Sequence, residues 1–418
     1  MSVRVRRVVG ILRREGAVGL AIRVALRAVN RLQTWLVAAM RGSAHEMGLL
    51  VRYADAVAVD WTVPPPWRTE PRPAGGNHLR TAWIMHPPGE SSGGHQNIFR
   101  FIRYLEDSGH DADVYLYDSA DRHIDTRHIE HLIRKSRSYP EVRARFYAYD
   151  AAGVDSSTDA IVATGWETAY PAYLDPSHAR RIYFVQDYEP AFYPVGSEHT
   201  LAENTYRFGF HGLTAGGWLA DQLSREFGMT TTPFDFAADT SLYSVLGTGQ
   251  RADAFFYARP VTARRGFELG VMALEEFARL RPDVTIHLAG WDTSSYRLPF
   301  RHLAHGAMSV SDLNEVYNMC GVALVLSLTN LSLLPLELLA AGVIPVVNDG
   351  ANNRLVSDNP YIEYCPASPA ALARRMAEVL ARPDLAVRAS AASASVGTSG
   401  WDASGAQFVR AIEEATRG

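Results

Sequence analysis

From residue 80 to residue 381, short apolar runs alternate with segments of helical period, and the alternation runs through twice. In the first cycle "RTAWIMHP" (80–87) reads as a buried strand. The glycine-bearing loop "PGESSGGH" follows, and "QNIFRFIRYLEDSG" places Ile98, Phe101, Ile102 and Leu105 on one helical face. Further strands are expected at 111–118, 159–166, 179–187 and 209–216, the last feeding the helix "WLADQLSREFG". The rhythm restarts at "DAFFYARP" (253–260). Strands at 283–290, 321–328, 343–349 and 361–366 then alternate with helices at 266–280, 311–319, 333–341 and 369–381. Such alternation makes parallel sheets wrapped by helices, and two cycles make two Rossmann-like domains. The expected class is α/β, with two such domains facing a central cleft. The chemistry of that arrangement belongs to the turns after strands.

The expected division is a basic helical arm at 1–60, a linker at 61–78 rich in Pro and Gly, a first domain at 79–245 and a second at 246–400. The folded body is expected to begin near Leu79, and the tract "ASAASASVGTSG" (389–400) reads as a loop before a last helix at 402–416. Residues 1–41 carry nine arginines and one acid, Glu15, a sum of +8 against a whole-chain net of −4, which leaves −12 for the remainder. Val18, Ile22, Ala25, Val29, Leu32, Leu36 and Met40 recur at helical spacing, with Arg23, Arg27 and Arg31 on the other face. The arginines break any apolar run long enough to span a bilayer, and no small-residue cleavage site follows. A helix lying on an anionic membrane surface and a helix packing on protein both fit this pattern.

Two cysteines, Cys320 and Cys365, are too few for a disulfide framework and lack metal-site spacing, which points to a reducing compartment. No metal or bound cofactor is expected. Lys135 is the only lysine, and its setting "LIRKSRSYPE" offers neither a phosphate loop nor a Schiff-base site. A phosphate site in this chain must therefore use Arg, backbone amides or helix ends.

Three turns after strands carry suitable residues. The first is "SSGGH", where Gly93 and Gly94 allow close backbone approach and a helix begins; it is not the dinucleotide G-x-G-x-x-G pattern. The second is "YARPVTARRGFELG", with Arg259 ending a strand and Arg264 and Arg265 opening a helix, a pair of charges suited to a diphosphate. In the third, "SLTNLSLLPLELLAAGVIPVVND" (327–349), Thr329, Asn330, Ser332, Leu333 and Glu337 lie in an otherwise apolar run.

This third stretch resembles the donor-nucleotide signature of glycosyltransferase family 4, and Arg259 with Arg264 resembles that family's basic pair on the donor diphosphate. Together with "GGHQNIFRFIRYLEDSGHDADVYLYD" and "YFVQDYEPAFYPVGSEHTLAENTYRFGFHGLTAGGWL", the chain most resembles the bacterial rhamnosyltransferase branch, which draws on dTDP-rhamnose. The resemblance spans roughly residues 80 to 416 and omits the arm. It implies a GT-B fold, metal-independent retaining transfer and a nucleotide-sugar held mainly by the second domain. It also implies a C-terminal helix, 401–418, that crosses back to the first domain. Glu337 matches the second glutamate of the family's E-(seven residues)-E motif, expected on the ribose. The first glutamate is replaced by Thr329, and Ser332 stands where the rhamnosyltransferase branch has serine. That departure suits a 6-deoxy sugar and equally a non-catalytic relative.

The resemblance makes Arg259, Arg264 and Glu337 the catalytic candidates, with Gly93, Gly94, Arg265, Thr329, Asn330, Ser332 and Leu333 completing the donor set. On the acceptor side, "TGWETAY" and "VQDYEP" supply Trp166, Glu167, Asp187, Tyr188 and Glu189 at strand ends, and His95 joins them. Aromatic faces and carboxylates together suit a sugar. His86 and His211 also follow or end strands, though lone histidines of this kind are more often structural. Partners implied are a nucleotide-sugar and a glycan or lipid-linked glycan acceptor at the cytoplasmic membrane face. UDP- or GDP-sugar donors and a binding-only protein are the alternatives. The acidic folded body disfavours nucleic acid.

Overall fold

The computed structural model describes residues 49–418, apart from 66, 68–75, 91, 121, 137, 248, 250, 332, 398–399 and 418. The description below concerns residues 50–418, which form one compact unit. Residues 1–48 of the expected basic arm, 1–60, lie outside the described residues.

Two parallel sheets organise the unit. The first holds seven strands: β1 (Arg80–Met85), β2 (Asp111–Leu116), β3 (Arg145–Ala148), β4 (Ala160–Ala163), β5 (Arg180–Val185), β6 (His211–Ala215) and β7 (Thr230–Phe234). Their spatial order is β3-β2-β1-β4-β5-β6-β7. The second holds β8 (Asp253–Tyr257), β9 (Ile286–Ala289), β10 (His302–Gly306), β11 (Cys320–Val325), β12 (Ile344–Asn348) and β13 (Glu363–Cys365), in the order β10-β9-β8-β11-β12-β13. Each sheet reverses its winding direction beside its first strand, between β1 and β4 and between β8 and β11. Those two reversals create the crevices in which a doubly wound sheet binds ligands.

The helices are α1 (Tyr53–Ala58), α2 (Gly93–Asp107), α3 (Thr126–Lys135), α4 (Trp166–Leu174), α5 (Ser197–Asn204), α6 (Gly217–Phe227), α7 (Phe267–Leu280), α8 (Val310–Met319), α9 (Leu334–Ala340), α10 (Ala351–Arg354), α11 (Pro369–Leu380), α12 (Leu385–Ser395) and α13 (Gly400–Arg417). Buried apolar runs explain the central strands: every residue of β4, β9, β11 and β12 is buried.

The C-terminal helix α13 lies on the first sheet. Its Phe408 stacks on Phe101 at 4.3 Å and meets Phe184 and Phe234 edge-on at 5.6 and 5.4 Å. Gly405 is required there, because a Cβ at that position would sit 2.4 Å from the Tyr104 ring. Tyr104 in turn donates to Asp402.

Two expectations are corrected. The tract at 389–400 is not simply a loop: α12 runs through Ser395, with Ala389 and Ala392 buried. A run of alanine and serine lacks large apolar residues, but alanine is the strongest helix former and its small side chain packs closely. The folded body also starts well before Leu79. Val51 is buried, Asp55 accepts a hydrogen bond from Tyr117, and Trp67 meets Tyr173 and Phe210 edge-on. Both cysteines are free and buried, and Lys135 is exposed in the last turn of α3.

Candidate functional site

On the second sheet, the crevice between β8 and β11 gathers the basic residues. Arg259 stands two residues beyond the end of β8, and its guanidinium lies 5.9 Å from the Trp291 ring and 3.5 Å from the Tyr257 hydroxyl. It forms no ion pair among the described residues. Arg264 and Arg265 sit in a 3-10 turn, Ala263–Arg265, that ends at Gly266 with φ 56°. The left-handed backbone there favours glycine. Arg264 and Arg265 divide their work: Arg264 Nε donates to Asp187 at 3.0 Å and its guanidinium covers the Phe192 ring at 4.0 Å. Arg265 donates to Ser327 Oγ at 2.9 Å, and burial lowers its pKa.

The loop after β11 is held from below by asparagines. Ser327 N donates to Asn348 Oδ1 at 2.8 Å, Asn348 Nδ2 returns a bond to Ser327 O, and Asn352 and Asn353 donate to the same carbonyl at 3.0 and 3.2 Å. From above it is held by the first domain. Asn330 N donates to Asp187 Oδ1 at 2.9 Å, and Asn330 Nδ2 donates to Gln186 O and Ala215 O. Thr329 and Asn330 are both buried, and Thr329 Oγ1 and Asn330 Oδ1 find no hydrogen-bond partner among the described residues. Two orphaned polar atoms side by side are costly unless something else satisfies them. Ser332 lies outside the described residues.

Leu333 caps α9, and Glu337 stands in that helix's first turn. Its carboxyl accepts no hydrogen bond among the described residues. Burial pushes its pKa up to about 7, partly offset by the Arg100 guanidinium of the first domain. The Tyr243 and Tyr317 hydroxyls feel its charge, and the Tyr317 hydroxyl is itself buried without a partner among the described residues.

On the first sheet, the crevice between β1 and β4 holds the other candidates, and several prove to be scaffold. Gly93 is exposed with open space around it, and Gly94 O accepts from Gln186 Nε2 at 3.2 Å. His95, expected on the acceptor, is spent on the turn: Nδ1 meets Ser92 Oγ at 3.0 Å and Nε2 meets His86 O at 3.2 Å. Burial lowers its pKa, which keeps it neutral. Burial likewise lowers the pKa of His86 and of His211, whose Nε2 meets Thr232 Oγ1.

Trp166 offers no stacking face, being 1% exposed with its indole N–H on Tyr193 Oη at 3.0 Å. Glu189 is also buried, accepting from Trp166 N at 2.6 Å and Tyr183 Oη at 3.0 Å. Asp187 is the domain junction, both of its oxygens taken by Arg264, Asn330 N and Tyr188 N. Tyr188 stacks on Tyr206 at 5.8 Å and reaches Glu203. Glu167, like Tyr188 and His95, is left partly exposed. Its carboxyl and that of Glu189 flank Gly165, and burial raises the Glu167 pKa to about 7.

The sequence reading missed Arg100, Gln186, Ser327 and the asparagines of "NDGANNR". The repeated Asn beside a glycine was a usable signal; the role of Arg100 was not, since it depends on a residue of the other domain. Among the described residues no cluster of three or more His, Cys, Asp and Glu side chains could hold a metal ion.

Residues 252–377 match the family model described as WsaF, C-terminal domain, and residues 148–214 match that described as WsaF, N-terminal domain. The O-antigen biosynthesis protein RfbC of Myxococcus xanthus is 33% identical over 253 residues, covering 59% of this chain. The chain spans only 20% of that relative's length. Among solved structures, sucrose-phosphate synthase from Thermosynechococcus elongatus superposes with TM-score 0.62 at 13% identity, covering 80% of this chain and 98% of that one. TarM gives 0.65 at 8% identity, covering 81% and 99%. HepE from Anabaena, solved with UDP and glucose, gives 0.57 at 15% identity, covering 81% and 99%. The two sheets, their paired crevices and these superpositions together establish the fold as the GT-B arrangement of two Rossmann-like domains.

Proposed function

We propose that the protein is a retaining glycosyltransferase that moves rhamnose from dTDP-rhamnose to a glycan acceptor in cell-surface polysaccharide synthesis. The observation that carries the reading is Arg259: an arginine without an ion pair among the described residues, at the carboxyl end of β8 in the switch-point crevice. It is the guanidinium in best position to stabilise charge on a departing diphosphate. Arg264, fixed by Asp187 and Phe192, supplies the second charge, and Glu337 accepts from the nucleoside ribose. A small neutral Thr329 beside Asn330, each with a buried polar atom left unpaired among the described residues, suits a 6-deoxy sugar better than a carboxylate would. The sugar–phosphate bond breaks as the acceptor oxygen bonds to the same face of the sugar, and the acceptor proton passes to the departing phosphate.

The RfbC relative supports a polysaccharide pathway, and HepE with UDP and glucose supports a nucleotide-sugar donor. No helix among the described residues is long and apolar enough to cross a membrane. The basic arm at 1–41 would act as a peripheral tether at the cytoplasmic face. The test is a panel of dTDP-, UDP- and GDP-sugars with and without EDTA, the product linkage being read by NMR. Turnover of dTDP-rhamnose with retained configuration is expected. Turnover of a UDP- or GDP-sugar alone would replace the donor assignment. Absence of nucleotide binding by calorimetry would replace transfer with a binding role.

A further inference from the structure

The short helix α1 is built inside out. Tyr53, Ala54, Val57 and Ala58 lie on α1 and Trp61 follows it by three residues; all five are exposed, Tyr53 at 57%, Val57 at 67% and Trp61 at 37%. Leu50 and Val63 extend the exposed apolar surface at either end. The polar group of this helix points the other way: Asp55 receives the Tyr117 hydroxyl at 2.7 Å. Just before the helix, Arg52 donates through Nε to Asp118 O at 2.9 Å and covers the Tyr117 ring at 4.5 Å. A surface helix ordinarily buries its apolar stripe and wets its charges, so this reversal marks a face made for something other than water.

The segment is fastened to the first domain rather than dangling from it. Besides the Asp55 bond, Tyr173 Oη donates to Asp60 O at 2.9 Å, and Arg207 lies 5.6 Å from the Trp61 ring. Asp60, the one exposed acid among the described residues of this segment, has its carboxylate folded back to accept from Thr62 N and Oγ1.

We infer that residues 50–63 form a lipid-docking face that lays the first domain on an anionic membrane surface. The charge along the chain selects this occupant. Residues 1–41, with a sum of +8, precede the patch in the sequence, and a basic segment in the same chain as an exposed Tyr, Val and Trp is the chemistry of an anionic bilayer interface. Seven neighbouring side chains, two of them alanines, are also too few to bury the roughly 800 Å² per partner that a stable protein interface needs. The face would hold the acceptor-side crevice at a fixed orientation to the bilayer, whatever the donor sugar is.

The test uses the full chain and vesicles of phosphatidylcholine with 30% phosphatidylglycerol, followed by flotation. The triple variant Tyr53→Ser, Val57→Ser, Trp61→Ser is expected to partition about tenfold more weakly than the native chain. Its thermal midpoint should stay within a degree or so of native, because Tyr53 and Val57 are mostly exposed and Trp61 gives up only the Arg207 contact. Val387→Ser, which removes an equally exposed apolar side chain from α12, is expected to bind like the native chain. Equal binding of the triple variant and the native chain would overturn the inference, as would no vesicle binding by the native chain. A triple variant that elutes as a smaller species than the native chain would assign the face to a second copy, and a lowered thermal midpoint would assign it to internal packing.

Discussion

The carboxylate of Asp187, at the end of β5, receives Arg264 Nε at 3.0 Å through one oxygen and the Asn330 amide at 2.9 Å through the other. A single side chain of the first domain thus grips both loops that would carry the donor. A charge-assisted pair with a second hydrogen bond is a strong local tie, and it joins the two domains at this point.

Asp187→Asn keeps the shape and removes the charge. Donor nucleotide affinity measured by calorimetry is expected to fall about tenfold, in line with the loss of one charged hydrogen bond. The radius of gyration in solution scattering should rise as the domains part. If neither quantity changes, Asp187 does not latch the domains.

Arg259→Ala removes the guanidinium that no carboxylate holds. Loss of one preorganised charge at a developing oxyanion costs on the order of 100- to 1000-fold in kcat. Thermal stability should stay close to native, because Arg259 pairs with no carboxylate among the described residues. Arg264→Ala, by contrast, should lower turnover and stability together.

Glu337 gives a pH signature of known sign. Its folded pKa is raised to about 7 by burial, so the folded state holds a proton that the unfolded chain has released. The group's contribution to stability falls as pH rises from its ordinary value toward 7, then levels off. If the nucleoside takes the ionised carboxylate, nucleotide affinity should rise by up to about tenfold per pH unit below 7. Glu337→Gln should abolish that slope, bind nucleotide more weakly at pH 8 and raise the thermal midpoint of the free protein there. A slope that persists in the variant would assign it to another group.

Phe408→Ala tests the strap formed by α13. Truncating a fully buried aromatic costs about 3–5 kcal/mol, so the thermal midpoint should drop by several degrees. Nucleotide affinity should change little if α13 serves the first domain alone, since the basic residues of the donor crevice lie in the other sheet.

The parallel architecture was legible because central strands are buried on both faces and read as continuous apolar runs, as in β1, β4, β11 and β12. The strands that escaped are at or near sheet edges. β3 (RFYA) exposes three of its four residues, β7 (TTTPF) contains a proline, and β10 (HLAHG) has no buried residue. Half-solvated strands lose the apolar signal.

At the site, residue type announced chemistry but not direction. Trp166 and Glu189 look like a sugar platform in the sequence, yet they bond to each other and to the core. Asp187 looked like an acceptor contact because its partner Arg264 lies 77 positions away. Asp55 could not be read at all, since nothing local says that Tyr117 claims it.

The position of α13 has a consequence for synthesis. Phe101, Phe184 and Phe234 are all made by residue 234, but the ring they enclose, Phe408, comes 174 residues later, after the whole second domain. Domains generally fold in the order in which they are made. Here the domain made first must wait with an uncovered aromatic floor until the second is complete, and the two reach their final form together.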